Sequence, residues 1–557
     1  MRGYDGNRSV SPDLDALLPL SFNITTVLMP CITVIFILAV PVFEENLHAA
    51  TYYVACDTGD DTNDGVSELH AWKSASKVAK FGFANGDKIL FKRGCVWEDV
   101  SIKITRSFEL GAYGDAAALP QLLGAVRANF RRLPGLQNVF STSAEIEPSS
   151  PVGKEILVVH DQRHGQFYKK VSNIESLGDS GKFYYDLPSR MLYVFPLEGT
   201  DLQHDVLIGS KPHIVEFQQI DVERVVIDGL ELSFANEYAV GFWYQGSGTK
   251  NGSLKIANCL ISGNAYQAIH IGGTNTFRDV DIVNNTITAN GNEGIYIGYI
   301  KGLERGEVVT QRLRISGNVI GGQGFGWRSE GPDSAAGGEG IDIKKGVAAA
   351  TIDHNTVFDI TASYGIGTQS SNVIIENNTV RNVQMWGTTQ ESNVAAGIYL
   401  DAYDNKGPVV VRGNTVTTSN THGIVIRGDA QLRPRVEIYD NVISVDEPFS
   451  PFAFTSQNLT NTIIRNNRTQ GGRAGLAVVK PCCRPANVEV HHNDFRNVSV
   501  PLVAAQDVSA GVRVYSNVFC FKGVVNAGQK NAIPNNTFSN ACASSNSLGP
   551  PQQLQVR

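Results

Sequence analysis

The sequence predicts an all-β chain wound into a right-handed parallel β-helix, a solenoid, with a capping helix near its N-terminus and an inserted β-rich segment. Three observations predict this fold: a recurring strand motif, a spacing of the motif that is typical of solenoids, and the composition. The chain of 557 residues contains 55 glycines, and only 18% of its residues are charged. This balance disfavours long solvated helices and suits many short strands joined by turns.

The recurring motif consists of two or three alternating apolar residues, then Asn, then another apolar pair, as in VDIVNNTI, VIIENNTV and VEIYDNVI. Alternation of period two predicts a strand with one buried face. Asn tolerates left-handed backbone geometry, so it predicts a bend after each strand, and stacked amides can hydrogen-bond from coil to coil. The asparagines at these bends are Asn258, Asn285, Asn318, Asn355, Asn378, Asn414, Asn441, Asn467, Asn493, Asn517 and Asn536.

A second motif follows each Asn after a short loop, as in GIYIGY, GIDIKK and GIYLDA. It predicts the next strand of the same coil, with its isoleucines pointing inward and the residues between them pointing outward. Several successive asparagines, such as Asn441, Asn467 and Asn493, are about 25 residues apart, which lies within the range of solenoid repeats. Equivalent positions of stacked coils should therefore lie about 4.8 Å apart.

The rest of the chain divides around these repeats. Residues from Trp72 to Phe83 have helical spacing and predict the helix that covers the open end of the solenoid. The predicted segments are a leader (1–50), an N-terminal cap with the first coils (51–115), an inserted β-rich segment (116–210), the coils (211–540) and a disordered tail rich in Ser, Gln and Pro (541–557).

The leader contains the most apolar run of the chain, from Thr26 to Phe43. About 18 apolar residues are the lower limit for a membrane span. The run leads into LHAAT, where Ala49 or Ala50 could precede a cleavage site. A cleaved secretory signal is the first interpretation and an uncleaved anchor, with membrane attachment through residues 26–43, is the second. Both predict an exported protein that is secreted, periplasmic or on the cell surface.

Charge and cysteines exclude several partners. The net charge of −7 argues against a nucleic-acid partner. The eight cysteines contain no CxxC pair, which argues against a zinc site. Cys56 and Cys95 could form a disulfide in an oxidising compartment. Calcium is the one cofactor that the sequence suggests, although Asp-Gly is also ordinary turn chemistry. Its candidate ligands lie in the segment DTGDDTNDG and are Asp57, Asp60, Asp61 and Asp64.

The segments YYV, GDKILFKRG and AYG, followed by coils that carry NxT or NxV, resemble the right-handed parallel β-helix repeat proteins of the pectate-lyase-like superfamily. The resemblance covers roughly residues 51–540. That superfamily includes polysaccharide lyases, glycoside hydrolases and epimerases, so the resemblance implies a polysaccharide substrate without choosing the reaction. We expect the chain to act as a monomer.

Two outward columns of the second motif carry aromatic, acidic and basic groups on consecutive coils. The first column is His270, Tyr296, Asp342, Gly367, Tyr399 and Val425, and the second is Gly272, Gly298, Lys344, Gln369, Asp401 and Arg427. Three long loops in the same coils could build the walls of a groove. From the columns and the loops, the predicted substrate-binding residues are His270, Tyr296, Trp327, Arg328, Gln369, Trp386 and Tyr399.

β-Elimination is the leading reaction on these residues. A base removes the proton next to a uronate carboxylate while a cation neutralises that carboxylate. Lys344 is the candidate base if neighbouring cations or burial lower its pKa. Arg427, three coils away, would contact a neighbouring sugar, and Arg328 could lie nearer. Tyr296 or Tyr399 could protonate the leaving oxygen. The local positive charge favours a lyase that acts on a uronate-containing polymer.

Hydrolysis is the alternative reaction, and binding without catalysis is the third interpretation. Asp342 and Asp401 lie two coils apart, about 10 Å along the stack, which favours an inverting glycoside hydrolase. Glu339 is a second acid beside Asp342. Lys344 and Asp401 could equally belong to a solvated charge ladder of little energetic worth, in a surface or carbohydrate-binding protein that kept only the scaffold.

Overall fold

Three long parallel sheets run through the computed structural model of the chain, which is a right-handed parallel β-helix. Successive coils contribute one strand to each sheet, and neighbouring strands of a sheet come from consecutive coils. The fold class predicted from the sequence is confirmed. The structure describes residues 49–145, 155–217, 222–244, 251–273, 277–298, 310–324, 338–385, 395–401, 407–427, 434–454, 460–478, 486–504, 511–522 and 533–539.

Within the described residues, the first sheet has fourteen strands, the second fourteen and the third twelve. The first sheet consists of Thr51–Val54, Asp87–Lys92, Phe108–Tyr113, Arg224–Asp228, Asn251–Ala257, Phe277–Val283, Arg312–Ser316, Ala350–Asp353, Val373–Glu376, Val409–Arg412, Val436–Tyr439, Thr460–Arg465, Ala486–His491 and Val512–Tyr515. The second consists of Val96–Trp97, Gln121–Leu123, Glu231–Ser233, Leu260–Ser262, Thr286–Thr288, Val319–Gly321, Thr356–Ala362, Thr379–Met385, Thr415–Thr418, Val442–Val445, Arg468–Gly471, Asp494–Val498, Val518–Phe521 and Thr537–Ser539. The third consists of Ile102–Ile104, His213–Phe217, Tyr238–Tyr244, Ile269–Gly273, Ile295–Gly298, Ile341–Ile343, Tyr364–Thr368, Ala396–Leu400, His422–Ile426, Phe452–Phe454, Ala474–Val478 and Val500–Ala504.

The core lies between the three sheets and is built from in-register columns of branched apolar side chains. In the first sheet Ile282 pairs with Ile315, and Ile315 pairs with Ile352. All three are fully buried. Burying a side chain of this size stabilises the fold by about 1.5–3 kcal/mol. Since a shift of one residue would turn these side chains outward, the register of the sheets is strongly specified.

An asparagine ladder follows the corner between the first and second sheets. The side-chain Nδ2 of Asn285 donates to Oδ1 of Asn318 at 3.0 Å, and the same bond repeats from coil to coil as far as Asn536. The predicted stacking of amides is therefore confirmed from Asn285 onward. Asn258 is an exception: it is exposed and donates to Asp228, and Cys259 occupies the ladder position instead.

The left-handed backbone of this corner falls one residue earlier than predicted. The residue before the ladder asparagine adopts it, with φ of 56° at Asn284 and 57° at His354. The ladder asparagines themselves are buried, and their side chains bond to backbone carbonyls as well as to one another. Asn is thus favoured at the ladder position because it satisfies buried polar backbone groups, and not because of its own φ angle.

We expect Asn414→Ala to lower the free energy of unfolding by about 3 kcal/mol, because truncation leaves buried hydrogen-bonding groups unpaired. Asn414 donates to Asn441 Oδ1 at 3.0 Å and to Ile375 O at 2.8 Å, and it accepts from Asn378 Nδ2 at 3.0 Å. Urea unfolding followed by circular dichroism measures the change. The control Asn420→Ala, at an exposed position of the same coil, should change it by less than about 0.5 kcal/mol. Equal losses in both variants would contradict the ladder's role.

The N-terminal region contains one short α-helix, Ala75–Lys80, and a 3₁₀-helix, Glu68–His70. The α-helix begins at Ser74, whose side chain accepts from the backbone N–H of Lys77, and it is shorter than the predicted span of 72–83. Ala75 and Val78 are buried in the main core. That this helix covers the end of the solenoid stays a prediction. Cys56 and Cys95 form the predicted disulfide, with 5.7 Å between their Cα atoms.

The β-rich insertion forms two small sheets. One consists of Gln166–Phe167, Val159–Asp161, Val206–Gly209 and Ala125–Val126, and the other of Lys169–Lys170, Lys182–Asp186, Met191–Phe195, Phe140–Ser143 and Arg131–Arg132. A 3₁₀-helix, Ile174–Ser176, lies in the chain between the strands Lys169–Lys170 and Lys182–Asp186 of the second small sheet. These strands enclose a core of their own. The strand Gln121–Leu123, inside the predicted bounds of the insertion, belongs to the second long sheet.

The insertion packs on the solenoid beside the third sheet. Asn236 of the solenoid accepts from the backbone N–H of Leu157 at 2.7 Å and donates to the carbonyl of Glu155 at 2.8 Å. The ring of His160 stacks on Phe234 with 4.6 Å between centroids. Burial lowers the pKa of His160 to about 4, so this ring is uncharged at neutral pH.

No helix within the described ranges is long and apolar enough to cross a membrane. The apolar run at residues 26–43 and the tail at residues 541–557 lie outside the described residues. Ala49 and Ala50, which the sequence places before a cleavage site, are the first described residues, and cleavage there stays a prediction.

Candidate functional site

The two outward columns predicted from the sequence lie side by side on the outer face of the third sheet. In the first column, Tyr296 pairs with Asp342, and the register continues through Gly367 to Tyr399. In the second column, the backbone N–H groups of Lys344, Gln369, Asp401 and Arg427 each donate to the carbonyl of the preceding coil. The in-register stacking that the site depends on is confirmed.

A third column, which the sequence did not predict, stands three residues before the first. Its members include Glu293 and Glu339, which stack because Ile295 pairs with Ile341. A glycine follows each glutamate and allows the coils to approach: a Cβ at Gly294 would lie 2.7 Å from the carbonyl oxygen of Gly340. The recurring Glu-Gly-Ile of GNEGIYI and GGEGIDI was the signal in the sequence.

Glu293, Glu339 and Asp342 form a buried group that we call the acidic cluster. One carboxylate oxygen from each residue lies within 4.8 Å of the other two. The residues are only 7%, 7% and 0% exposed. Three carboxyl groups at this separation cannot all be ionised, because like charges repel strongly in a buried environment.

The cluster is held by specific contacts. Nζ of Lys344 lies 2.6 Å from Oδ2 of Asp342, and the hydroxyl of Tyr364 donates to Oδ1 of Asp342 at 2.9 Å. Gln267 donates to Glu293 through Nε2, and the backbone N–H of Gly338 donates to Glu339. Asp342 therefore has both a cation and a hydroxyl donor, which favour its charged form more than the charged form of either glutamate.

Burial raises the pKa of all three carboxyl groups, and the pKa of Glu293 rises well above its ordinary value because the charges of Glu339 and Asp342 add to the effect of burial. Burial lowers the pKa of Lys344, but the neighbouring carboxyl groups, Asp342 above all, outweigh it and raise the pKa. We infer that Lys344 is charged, that Asp342 carries the compensating charge, and that Glu293 keeps a proton. The condition under which Lys344 could serve as a base, a net lowering of its pKa by neighbouring cations or burial, is not met, because its neighbours are acids.

Four aromatic rings stack along the same face on the N-terminal side of the cluster. Ring centroids are 5.2 Å apart for His213 and Tyr238, 4.7 Å for Tyr238 and His270, and 4.8 Å for His270 and Tyr296. Lys344 Nζ lies 5.9 Å from the centroid of Tyr296. Burial lowers the pKa of His270 to about 3, so His270 is neutral. The roles of His270 and Tyr296 in substrate binding stay predictions.

A second polar group lies on the C-terminal side. The ring of Tyr364 stacks on Tyr399 at 4.9 Å. The Tyr399 hydroxyl donates to Asp401 Oδ2 at 3.2 Å, and Arg427 Nη1 donates to the Tyr399 hydroxyl at 3.3 Å. Asp401 is two coils from Asp342, about 10 Å by the strand spacing. Among the described residues, the acids grouped with Asp342 are the two glutamates of the cluster, and the pairing of Asp342 with Asp401 in hydrolysis stays a prediction.

Four more residues were predicted to bind substrate, and the structure describes one of them. Gln369 is half-buried and stands in the second column between Lys344 and Asp401. Trp327, Arg328 and Trp386 lie outside the described residues.

The carboxylates that the sequence suggests as calcium ligands have protein partners. Asp57 pairs with Lys92 at 2.8 Å, and Asp61 accepts from Ser74 at the start of the α-helix. Asp60 and Asp64 accept from backbone N–H groups of their own turns. These contacts are the turn and capping chemistry of short polar residues, and binding of calcium there stays untested.

Residues 240–444 match the family model of the right-handed β-helix region, in agreement with the fold and with the resemblance drawn from the sequence. No curated protein matches the chain in sequence. The solved structure of XylC in complex with xylose is 14% identical and superposes with a TM-score of 0.53 over 89% of this chain and 87% of that chain. This likeness shows a common fold.

Two further solved structures superpose less closely. A glycoside hydrolase is 12% identical, with a TM-score of 0.45 over 76% of this chain and 97% of that chain. A mannuronic acid specific polysaccharide family 6 lyase from human gut microbiota is 12% identical, with a TM-score of 0.41 over 89% of this chain and 92% of that chain.

Proposed function

We propose that the chain is an exported carbohydrate-active enzyme that hydrolyses glycosidic bonds of a polysaccharide on the outer face of its third sheet. One observation carries the proposal: three buried carboxyl groups lie within 4.8 Å of one another, next to a lysine that can balance only one negative charge. Glycoside hydrolysis requires one protonated and one ionised carboxyl group on either side of the scissile bond. Unequal environments of neighbouring acids supply such a pair.

In the proposed mechanism Glu293 is the general acid and Asp342 is the nucleophile. Glu293 protonates the glycosidic oxygen as the bond to the anomeric carbon breaks, and Asp342 forms a covalent bond to that carbon. Water, deprotonated by Glu293, then releases the sugar. The short separation within the cluster fits retention of configuration, which uses carboxyl groups about 5–5.5 Å apart, better than inversion. Glu339 acts on the other two groups through its charge and helps to keep their pKa values apart.

Elimination is less well supported than hydrolysis. A lysine base must lose its proton before it can abstract another, and the pKa of Lys344 is raised by the acids around it. A uronate carboxylate placed over Asp342 would also meet like charge. Binding without catalysis is disfavoured because burial of several ionisable groups costs stability, and strongly perturbed carboxyl groups are typical of active sites. The XylC structure, which contains xylose, is in line with a sugar ligand on this fold.

The reaction is tested by incubating the purified chain with a panel of neutral and uronate-containing polysaccharides. We expect reducing ends to increase while absorbance in the band of unsaturated products stays constant, because hydrolysis creates no double bond. Proton NMR of the first product should show the anomeric configuration of the substrate. An increase in both signals would establish elimination. Binding to a polysaccharide of the panel without any cleavage would establish a non-catalytic protein.

A further inference from the structure

Four side chains beside the acidic cluster have buried polar atoms that lack a hydrogen-bond partner among the described residues. The atoms are both ring nitrogens of His213, Oε2 of Glu237, Oε1 of Gln267 and Oδ1 of Asn292. These residues are 4%, 1%, 7% and 7% exposed. His213 Nε2 lies 3.5 Å from Glu237 Oε2, which is longer than the roughly 2.7–3.2 Å of an N–H···O hydrogen bond.

The four residues belong to one place in the fold. They come from four consecutive coils, each at the start of a strand of the third sheet or just before it. The backbone N–H of Tyr266 donates to the carbonyl of Glu237, and the backbone N–H of Asn292 donates to the carbonyl of Tyr266, so these coils are stacked in order. Gln267 donates to Glu293. The row of polar atoms is therefore continuous with the acidic cluster on its N-terminal side.

An unpaired buried polar group costs about 1–3 kcal/mol, so four such side chains in one row indicate a polar ligand. Carboxylate and amide oxygens accept hydrogen bonds, and a ligand that satisfies them must supply O–H or N–H donors. Sugar hydroxyl groups are such donors. A ligand carboxylate is disfavoured, because Glu237 and the acidic cluster would repel it.

The aromatic stack explains why recognition in this row would use hydrogen bonds. The rings of His213 and Tyr238 are parallel to within 6°, and those of His270 and Tyr296 to within 5°. Their faces are thus turned to one another along the stack and are not available to a pyranose ring. Among the described side chains of this row, the polar groups are therefore the ones that can bind a sugar.

We propose that His213, Glu237, Gln267 and Asn292 form a subsite for an uncharged pyranose, so that the substrate is a neutral polysaccharide at this position. The position of this subsite relative to the cleaved bond rests on the proposed function. The acidic cluster then cleaves the glycosidic bond next to the sugar whose hydroxyl groups the subsite binds. A uronate at this position is rejected.

Calorimetric binding to the full chain carrying Asp342→Asn tests the subsite without turnover. The probes are tetrasaccharides of xylose, glucose, mannose and galactose, together with the tetramers of galacturonate and mannuronate. We expect at least one neutral tetramer to bind more than tenfold more tightly than its uronate counterpart. Adding Glu237→Gln or Asn292→Ala should weaken that binding about tenfold, the effect of one hydrogen bond to a buried acceptor. Glu231→Gln, the same change on the second sheet, should leave it unchanged.

The outcomes separate the subsite from the reaction. Binding of a neutral tetramer that neither variant weakens, tighter binding of the uronate tetramers, or no binding by any tetramer would each overturn the subsite; the last would mean that water alone satisfies these atoms. If the wild-type chain cleaves nothing but binding depends on Glu237 and Asn292, the subsite stands and the hydrolysis proposal fails. Circular dichroism of both variants shows whether either has lost the fold.

Discussion

Asp342→Asn should reduce kcat/KM on the cleaved polysaccharide by a factor on the order of 10⁴, the scale seen when a group of a catalytic unit is removed. An amide has nearly the same shape as a carboxylate and can still accept from Tyr364, but it cannot carry the charge that attacks the anomeric carbon. Lys344 would also lose its partner at 2.6 Å. Initial rates of reducing-end release at several substrate concentrations give kcat and KM separately.

The control for this variant is Asp353→Asn. Asp353 is also buried and accepts a hydrogen bond from a neighbouring side chain, Ser316 Oγ at 2.8 Å, but it lies on the first sheet. We expect its kcat/KM to stay within a factor of about two of the wild type. Melting curves should show that both variants remain folded. If folded Asp342→Asn keeps a tenth or more of the activity, Asp342 is not the nucleophile.

The outward columns could be predicted from the sequence because a strand alternates with period two and a solenoid stacks its coils in register. Once the isoleucines were assigned to the core, the positions of Tyr296, Asp342 and Tyr399 followed. The asparagine ladder could be predicted for the same reason. Its first member, Asn258, was misplaced because Asn occurs at both neighbouring positions of the bend in NN pairs such as Asn284 and Asn285.

The centre of the site could not be fully predicted. Glu293 lies at the bend between two strands, where the alternation stops and gives no information on the direction of a side chain. Glu339 was recognised as an acid near Asp342, but not as one of a stacked pair. The protonation of Lys344 could not be predicted either, because it depends on which charges surround it in space. Counting lysines and arginines along the chain suggested a basic groove, whereas the lysine balances acids from neighbouring coils.

Lys344→Met should move the acidic limb of the pH–activity profile upward by about 1–3 pH units, the effect of removing an opposite charge within 4–6 Å. Lys344 stabilises the ionised form of Asp342, so its loss raises the pKa of Asp342 further. Because the reaction needs ionised Asp342, activity at the wild-type optimum should fall about 10- to 1000-fold and recover in part as pH rises. Methionine keeps the length and most of the volume of the lysine side chain.

The shape of that pH–activity profile distinguishes elimination from hydrolysis. Activity lost with a catalytic base does not return at higher pH, whereas activity lost with a counter-ion returns in part. A lysine that abstracts the proton in an elimination cannot be replaced by raising the pH, so Lys344→Met would then be inactive at every pH. A lysine that only holds a charge on Asp342 can be replaced in part by hydroxide, which ionises the same carboxyl group. Lys345→Met, next in the chain and also partly exposed, should leave the position of the acidic limb unchanged. An upward shift confined to Lys344→Met would therefore show that the ionised group of the reaction is a carboxyl group of the acidic cluster, and the activity of Asp342→Asn decides whether it is Asp342.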